Sequence, residues 1–114
     1  MNLLFPDGTV GEDFATGGGS KPNATEDDLI NALAALERGD IEYVGLEEDA
    51  VNMFMQAAGD SASGYILEYN DGKDDSMMHA VGTLTGPQIT DALSAFLNHD
   101  NSWRTMFRWE RVTF

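Results

Sequence analysis

The centre of the sequence alternates between apolar and polar positions with the period of two that is typical of β-strands. The run VNMFMQAA at 51–58 alternates in this way, and GYILEYN at 64–70 is rich in aromatic and β-branched residues. Between them, the segment from Gly59 to Gly64 collects glycine, aspartate and serine, which favour turns. We therefore predict a β-hairpin. The first run would also suit a helix, because methionine, glutamine and alanine are good helix formers, but the turn signals beside it favour a strand.

Shorter apolar runs predict further strands on both sides of this hairpin. The runs at 41–46 and 76–83 each read as a strand, and Asn70-Asp71-Gly72 predicts the turn before the second of them. The acidic triplet at 47–49 predicts a turn. From Trp103 to Phe114 apolar and charged residues alternate again, which predicts a final strand with one aromatic face.

The first 24 residues carry weaker signals. Leu3, Leu4 and Phe5 form a short apolar run that Pro6-Asp7-Gly8 ends as a turn, and Thr9 and Val10 could return as a second short strand. The glycine-rich segment at 17–20 is typical of a flexible linker. We therefore predict that residues 1–24 form a loosely structured lead-in.

Two segments have the period and the end signals of helices. The first spans 25–38, with Thr25 as the N-cap, acids in the first turn, and Gly39 after the last turn. The second begins at Thr85, where Thr85 and Gln88 have the spacing of a capping box, and ends before Asn98. Two helices with five to six strands predict a single α+β domain over 1–114. Its layers would be a mostly antiparallel sheet and two helices on one face.

Acidic residues dominate the charge. The chain of 114 residues holds 20 acids and six lysines or arginines, for a formal net charge of −14. Residues 1–102 carry three cations against 19 acids, a net of −16, whereas residues 103–114 carry three arginines against Glu110, a net of +2. Such a surface repels nucleic acid and anionic lipid and attracts a basic protein partner. We therefore expect a protein partner, and neither nucleic acid nor a membrane.

Features that are absent from the sequence give most of the evidence on the cellular compartment and on possible catalytic or metal sites. It has no cysteine, which excludes disulfides and thiolate metal sites. The N-terminal segment MNLLFPDGTV carries no basic residue, unlike signal and transit peptides, and no apolar run has the length of a membrane span. We expect a cytoplasmic protein. Because no catalytic or ligand-binding motif is present, we expect no enzyme activity, no cofactor and no bound metal.

Two groups of residues are candidate sites. Clustered acids in the predicted turns are candidate contacts for a basic partner: Glu47, Glu48, Asp49, Asp71, Asp74 and Asp75. Glu68 lies inside an apolar strand and would need a partner if buried, for which Arg104 or Arg108 could serve. Together with His79 and Trp109 it could line a pocket between the helices and the sheet. The aromatic residues Tyr65, Tyr69, Trp103, Phe107 and Trp109 could form the core or a protein interface.

Several segments together resemble a group of small uncharacterised bacterial proteins. SKPNATEDDLINALAAL, MQAAG, GYILEYNDG and DNSWRTMFRWE follow that group's pattern of a helix, QAAG, GYxLEYxDG, a second helix and WxxxFxWE, over roughly residues 20–112. The order of a helix followed by a meander is also similar to Imm1-type immunity proteins of bacterial polymorphic toxin systems. That resemblance implies a non-enzymatic inhibitor that binds a toxin domain. The alternative is a homodimeric small-molecule-binding domain or enzyme.

Overall fold

A single open sheet forms one layer of the structure, and helices cover one of its faces. The computed structural model describes residues 1–5, 19–72 and 77–112. Within them the strands are β1 (Asn2–Phe5), β2 (Gly19–Lys21), β3 (Tyr43–Glu48), β4 (Met53–Asp60), β5 (Gly64–Asn70), β6 (Met78–Ala80) and β7 (Trp109–Arg111). The helices are α1 (Glu26–Arg38), α2 (Gly86–Leu97) and the short α3 (Trp103–Met106). The predicted α+β class with a mostly antiparallel sheet is confirmed.

The seven strands of the described residues lie in the order β2-β1-β3-β4-β5-β6-β7, and all neighbours are antiparallel. From β3 to β6 the chain forms a meander. The hairpin of β4 and β5 is its longest pairing, running from Phe54 opposite Asn70 to Asp60 opposite Gly64. The predicted strand 64–70 has the predicted bounds, and the strand reading of 51–58 is confirmed with bounds shifted by two residues.

Both long helices begin at the predicted capping residues. The Thr25 hydroxyl accepts a hydrogen bond from the Asp28 amide, and the Asp28 carboxylate accepts one from the Thr25 amide. Thr85 and Gln88 form the same reciprocal pair at the start of α2. Such capping boxes satisfy amide groups that have no partner within the helix. At the other end of α1, Gly39 takes a left-handed conformation with φ of 80°, which glycine adopts without steric cost.

The core lies between the two long helices and the sheet face beneath them. Both helices present their apolar stripe to this face, where Leu46, Met55 and Leu67 are inaccessible to solvent. The other largest fully buried side chains are Trp103, Leu3, Leu29, Leu36, Ile89, Leu93 and Val44. No helix of the described residues covers the opposite face, which we call the helix-free face. None of these helices is long and apolar enough to cross a membrane.

The prediction of a loosely structured lead-in over 1–24 is wrong for the residues described there. β1 lies inside the sheet between β2 and β3, with Leu3 paired to Leu46 and only 1% exposed. Its apolar run is therefore core, and part of the predicted linker forms β2. The predicted turn at 6–8 and the return at Thr9 and Val10 lie outside the described residues.

Two further predictions are corrected. Glu47 and Glu48 end β3 instead of forming a turn, and Asp49–Val51 forms a short 3₁₀ turn after them. The predicted final strand over 103–114 is wrong in its first half, because Trp103–Met106 forms one helical turn. Among the described residues of this segment, the strand that pairs with the sheet is Trp109–Arg111. The helical turn buries Trp103 against Phe96 of α2, a position that an extended chain would not reach from the sheet edge.

An ion pair fastens β2 to the start of α1. Lys21 Nζ lies 2.6 Å from Asp28 Oδ1, and this hydrogen bond, followed by the one from the Thr25 amide, lowers the pKa of Asp28 below its usual 3.8. A lowered carboxyl pKa stabilises the fold above the unfolded value, and that stability is lost as pH falls through the folded value.

We predict that Lys21→Gln raises the pKa of Asp28 towards 3.8 and lowers the free energy of unfolding at neutral pH by about 0.5 kcal/mol, since the lysine is partly exposed. An NMR titration of the carboxyl carbons and urea denaturation measure the two effects. Arg38→Gln, which removes the exposed pair with Asp40, is the control and should leave the Asp28 pKa unchanged. An unchanged Asp28 pKa in Lys21→Gln would contradict the assignment.

Candidate functional site

Acidic residues from separate segments lie at one end of the molecule. β3 ends there, β4 begins there and β5 ends there, because the three strands are antiparallel. α1 begins and α2 ends at the same end, where the Glu26 carboxylate accepts hydrogen bonds from Ser94 and Asn98. The acidic end, as we call it, comprises Glu26, Asp27, Asp28, Glu47, Glu48, Asp71 and Asp100. Three of the six predicted contact acids are therefore neighbours in the fold.

Glu47 and Glu48 point to opposite faces of β3. Glu47 lies on the helix-free face in register with Phe54, whereas Glu48 lies on the helix side. There the Glu48 carboxylate is 3.7 Å from His99 Nε2, and both residues line a shallow cleft of about 240 Å³ with Phe96 and Trp103. At the acidic end, β3 therefore presents one acid on each face of the sheet.

The end of β5 carries Asp71 next to this strand pair. The buried side chain of Asn70 accepts a hydrogen bond from the Gly72 amide at 2.7 Å, which fixes the turn that follows Asp71. Gly72 has φ of 81°, and a Cβ atom there would lie 2.2 Å from the carbonyl oxygen of Val51. Only glycine permits this close approach of the two segments. Asp49 belongs to the 3₁₀ turn beside it, the side chain of Asp49 is not described, and Asp74 and Asp75 lie outside the described residues.

Glu68 lies on the helix-free face, in a polar row that crosses the sheet. Register places Gln56, Glu68, His79 and Glu110 side by side on neighbouring strands. Gln56 Nε2 donates a hydrogen bond to Glu68 Oε1 at 3.2 Å, so the polar partner of Glu68 is a glutamine. Neither predicted arginine fills that role: Arg108 pairs with Glu110 at 4.0 Å, and Arg104 lies over the rings of Tyr69 and Trp103.

Trp109 lies on the other side of the sheet from Glu68 and His79. It is opposite Ala80 in the register, one position away from the His79 row, and its side chain therefore points towards the helices. The pocket predicted from these three residues does not form, since strand alternation separates Trp109 from the other two. Glu68 and His79 do come together, as a pair of directly opposed residues.

The aromatic residues form a cluster that is mostly core. Trp109 packs edge-on against Tyr69, with ring centroids 4.7 Å apart, and contacts Trp103 and Phe107 at 5.8 and 5.7 Å. Its Nε1 donates to the Arg104 carbonyl at 3.1 Å. Tyr65, Tyr69 and Trp103 are buried, and Phe107 and Trp109 are half-buried. This packing holds α3 and β7 against the rest of the core and explains why the chain turns at Phe107.

A groove at the opposite end of the molecule has no counterpart among the sequence predictions. It follows α1 and the beginning of α2 and has a volume of about 510 Å³. A second part of about 470 Å³ continues past the β4–β5 turn, and the two parts share Glu37, Tyr65, Gly86 and Pro87. Its residues come from three separate segments, 30–37, 61–65 and 83–91, none of which has a recognisable ligand-binding pattern. The glycine and capping signals at 85–88, which predicted the helix start, are the nearest sequence clue.

Tyr65 is the buried polar residue of this groove, with only 4% of its surface exposed. Burial raises the pKa of its phenol above the usual 10.0, and the charges of Glu37 and then Asp60 raise it further. All three causes disfavour the phenolate, because a negative charge would lie in a poorly solvated position beside carboxylates. The groove therefore has a negative electrostatic potential at the phenol.

Comparison of the chain with known protein families, curated proteins and solved structures gives no match. The resemblances drawn from the sequence pattern therefore stay predictions. The function has to be argued from the residues of this chain.

We predict that Trp109→Ala lowers the free energy of unfolding by about 2–4 kcal/mol, because it removes an aromatic side chain with three ring neighbours. Urea denaturation followed by circular dichroism measures the loss. Met106→Ala is the control: its side chain is 41% exposed, so the expected loss is below about 1 kcal/mol. Equal losses in the two variants would show that the cluster does not support the fold.

We also predict that Glu37→Gln lowers the pKa of Tyr65 towards 10.0, as one of the two charges that oppose the phenolate is removed. A group whose folded pKa is raised costs stability once the pH exceeds the unfolded value, so the variant should lose less stability on raising the pH above 10.0. NMR titration with labelled tyrosine resolves Tyr65 from Tyr43 and Tyr69. Asp27→Asn, at the acidic end, should leave the Tyr65 pKa unchanged, and equal shifts in both variants would refute a local effect.

Proposed function

We propose that this protein is a non-enzymatic binding protein whose acidic end, with the adjoining part of the helix-free face, docks a basic protein partner. The observation that carries this proposal is the grouping of acids from distant parts of the sequence at one end. Glu26, Glu48 and Asp71 lie in α1, β3 and the end of β5, yet they share that end. Chain order alone would not bring them together.

The charge pattern suits fast and specific association. A net charge of −14 on 114 residues produces a long-range field, and seven of the described acids contribute to it from the acidic end. Complementary charges raise the association rate and disfavour wrong partners more than they add affinity. The three arginines of residues 103–114 partly offset the field at the β7 edge of the sheet.

Apolar side chains on the helix-free face could supply the affinity. Phe54 is half-buried beside Glu47 in the register, and Leu4 is half-buried in the next row towards the sheet centre. Ile66 is 54% exposed further along the same face. An aromatic residue flanked by charges is the usual composition of a binding hot spot, in which the rim excludes water and the apolar centre provides the energy. Phe54 is therefore the anchor that we assign to this surface.

The narrower form of the proposal is an immunity-type inhibitor that covers the active surface of a basic toxin domain. The resemblance to Imm1-type proteins supports it, as does an acidic surface that mimics the polyanionic substrates of basic enzymes. An inhibitor of this kind needs surface complementarity and no catalytic residue of its own. The polar row through Glu68 and His79 would then be part of the docking face.

The test uses the proteins encoded next to this gene. A basic domain among them is expressed in a heterologous host with and without this chain, and growth is recorded together with the binding kinetics of the purified pair. We expect the chain to restore growth and bind with an association rate that falls steeply with ionic strength. Glu47→Lys should lower the association rate by about tenfold, since it reverses a charge at the docking surface.

Glu42→Lys is the matched control, because it makes the same charge change five positions away, at the residue that precedes the first residue of β3. It should leave the association rate within about twofold of the wild type. Association rates that ignore salt, or that drop equally in both variants, would refute the proposed surface. A chain that sediments as a dimer through the helix-free face and binds none of the basic domains would refute the function.

A further inference from the structure

The groove at Tyr65 has features that the proposed docking of a basic protein does not use. It lies at the end of the molecule where α1 ends and α2 begins, opposite the acidic end. Its apolar lining includes Ile30, Leu33 and Pro87, and Ile30 is 51% exposed although it belongs to the helix that forms one wall. An exposed branched side chain over an open groove leaves apolar surface that a ligand could cover.

The charged groups that line the groove, among the described residues, are all acidic. Glu37 and Asp91 are its charged lining residues, and no lysine, arginine or histidine is among the lining residues in the described part of the chain. Tyr65 is more than nine-tenths buried and lines both parts of the groove. Among the described residues no side chain forms a hydrogen bond with its hydroxyl group. No polar side-chain atom of the described residues is both sealed from solvent and without a partner, so this hydroxyl is open to the groove, where its oxygen can accept a hydrogen bond from a ligand.

The apolar wall, the two carboxylates and the Tyr65 hydroxyl together limit the charge and the size of a ligand that fits the groove. Two carboxylates without a cation repel anions and attract cations. A metal ion is a poor fit, because within the described residues no group of three His, Asp or Glu side chains could hold one. An ammonium or guanidinium group offers several donors for carboxylate and phenol oxygens, and an attached hydrocarbon chain would cover the apolar wall. The volume of about 510 Å³ lies within the range of small-molecule pockets.

We propose that this groove binds a small organic cation, a primary ammonium or guanidinium group carried on a short apolar chain. The cationic group lies between Glu37 and Asp91 and donates to the Tyr65 hydroxyl oxygen. The hydrocarbon chain lies along Ile30, Leu33 and Pro87. The shape of the groove depends on Gly64, whose φ of 88° and closeness to Thr83 exclude a larger side chain beside Tyr65.

This site is independent of the proposed function. The acidic end and the groove share no residue: on α1 the acids of the acidic end stop at Asp28, and the residues that line the groove begin at Ile30. Loss of one activity would therefore leave the other intact, and the two proposals fail separately.

The experiment is an NMR titration of the labelled full chain with n-butylguanidinium and n-butylammonium chloride. Ligands of this size should bind with a dissociation constant of about 1–10 mM, and they should shift the amide signals of Tyr65, Gly86 and Thr90. n-Butanol and butyrate share the chain but not the cation, and should shift these signals at least about tenfold less at the same concentration, because each surface charge contact contributes up to about fivefold in affinity. Sodium chloride at equal ionic strength controls for screening.

Two sets of variants connect the binding to the named residues. Glu37→Gln combined with Asp91→Asn should weaken butylguanidinium binding by about tenfold, and Tyr65→Phe by about threefold. Asp27→Asn combined with Glu42→Gln removes the same number of charges outside the groove and should bind as the wild type does. The amide spectra report at the same time whether each variant is folded.

The outcomes separate clearly. Saturable shifts confined to the groove for the two cations, lost in the groove variant and kept in its control, support the site. Equal shifts with butanol, equal weakening in both double variants, or no saturation up to about 50 mM would overturn it. Binding only of a lysine- or arginine-containing peptide, with no response to the free cations, would also overturn it, as the groove would then be a peptide contact.

Discussion

Burial of one face of the sheet beneath α1 and α2 is the constraint on which the rest of the structure depends. Leu46, Met55 and Leu67 are fully buried on that face. Because side chains alternate along a strand, fixing these positions also fixes every residue between them on the opposite face. Gln56, Glu68 and His79 come together there for this reason, and the hydrogen bond from Gln56 to Glu68 forms within the row that the register sets. The same alternation places Trp109 among the aromatic rings of the core, so one packing interaction determines the position of both groups.

Local signals predicted the parts of the fold that are stabilised locally. The two helices begin at Thr25 and Thr85 because the capping residues and the acceptors three positions later lie within one turn. Strand β5 has the predicted bounds because glycine and the Asn70 turn limit it at both ends. The class of the fold followed from the order of these elements. In each case the interaction that decides the structure spans only a few residues, which a single sequence displays directly.

Predictions failed where a distant contact decides the structure. Leu3 was expected in a loose segment, but it pairs with Leu46, more than 40 positions away. Residues 103–106 alternate as a strand would, but burial of Trp103 against Phe96 favours a helical turn instead. The groove at Tyr65 could not be predicted for the same reason, since Glu37 and Asp91 become neighbours only when α1 packs on α2. The sequence shows which residues of the acidic end are acids, but their common location depends on strand register.

The acids that lie beside the C-terminus of α2 are unfavourable for the fold, and this cost favours a selected role. The C-terminus of a helix carries a partial negative charge, so acids beside it are unfavourable. Glu48 and Asp100 nevertheless lie near the end of α2, where the Glu48 carboxylate is 3.7 Å from the imidazole of His99. The Glu26 carboxylate also lies there, held by Ser94 and Asn98 instead of by a cation. Departures from the local rules that favour stability are expected mainly at functional sites. Under the proposed function, a basic partner would place positive charge beside these acids and offset that cost.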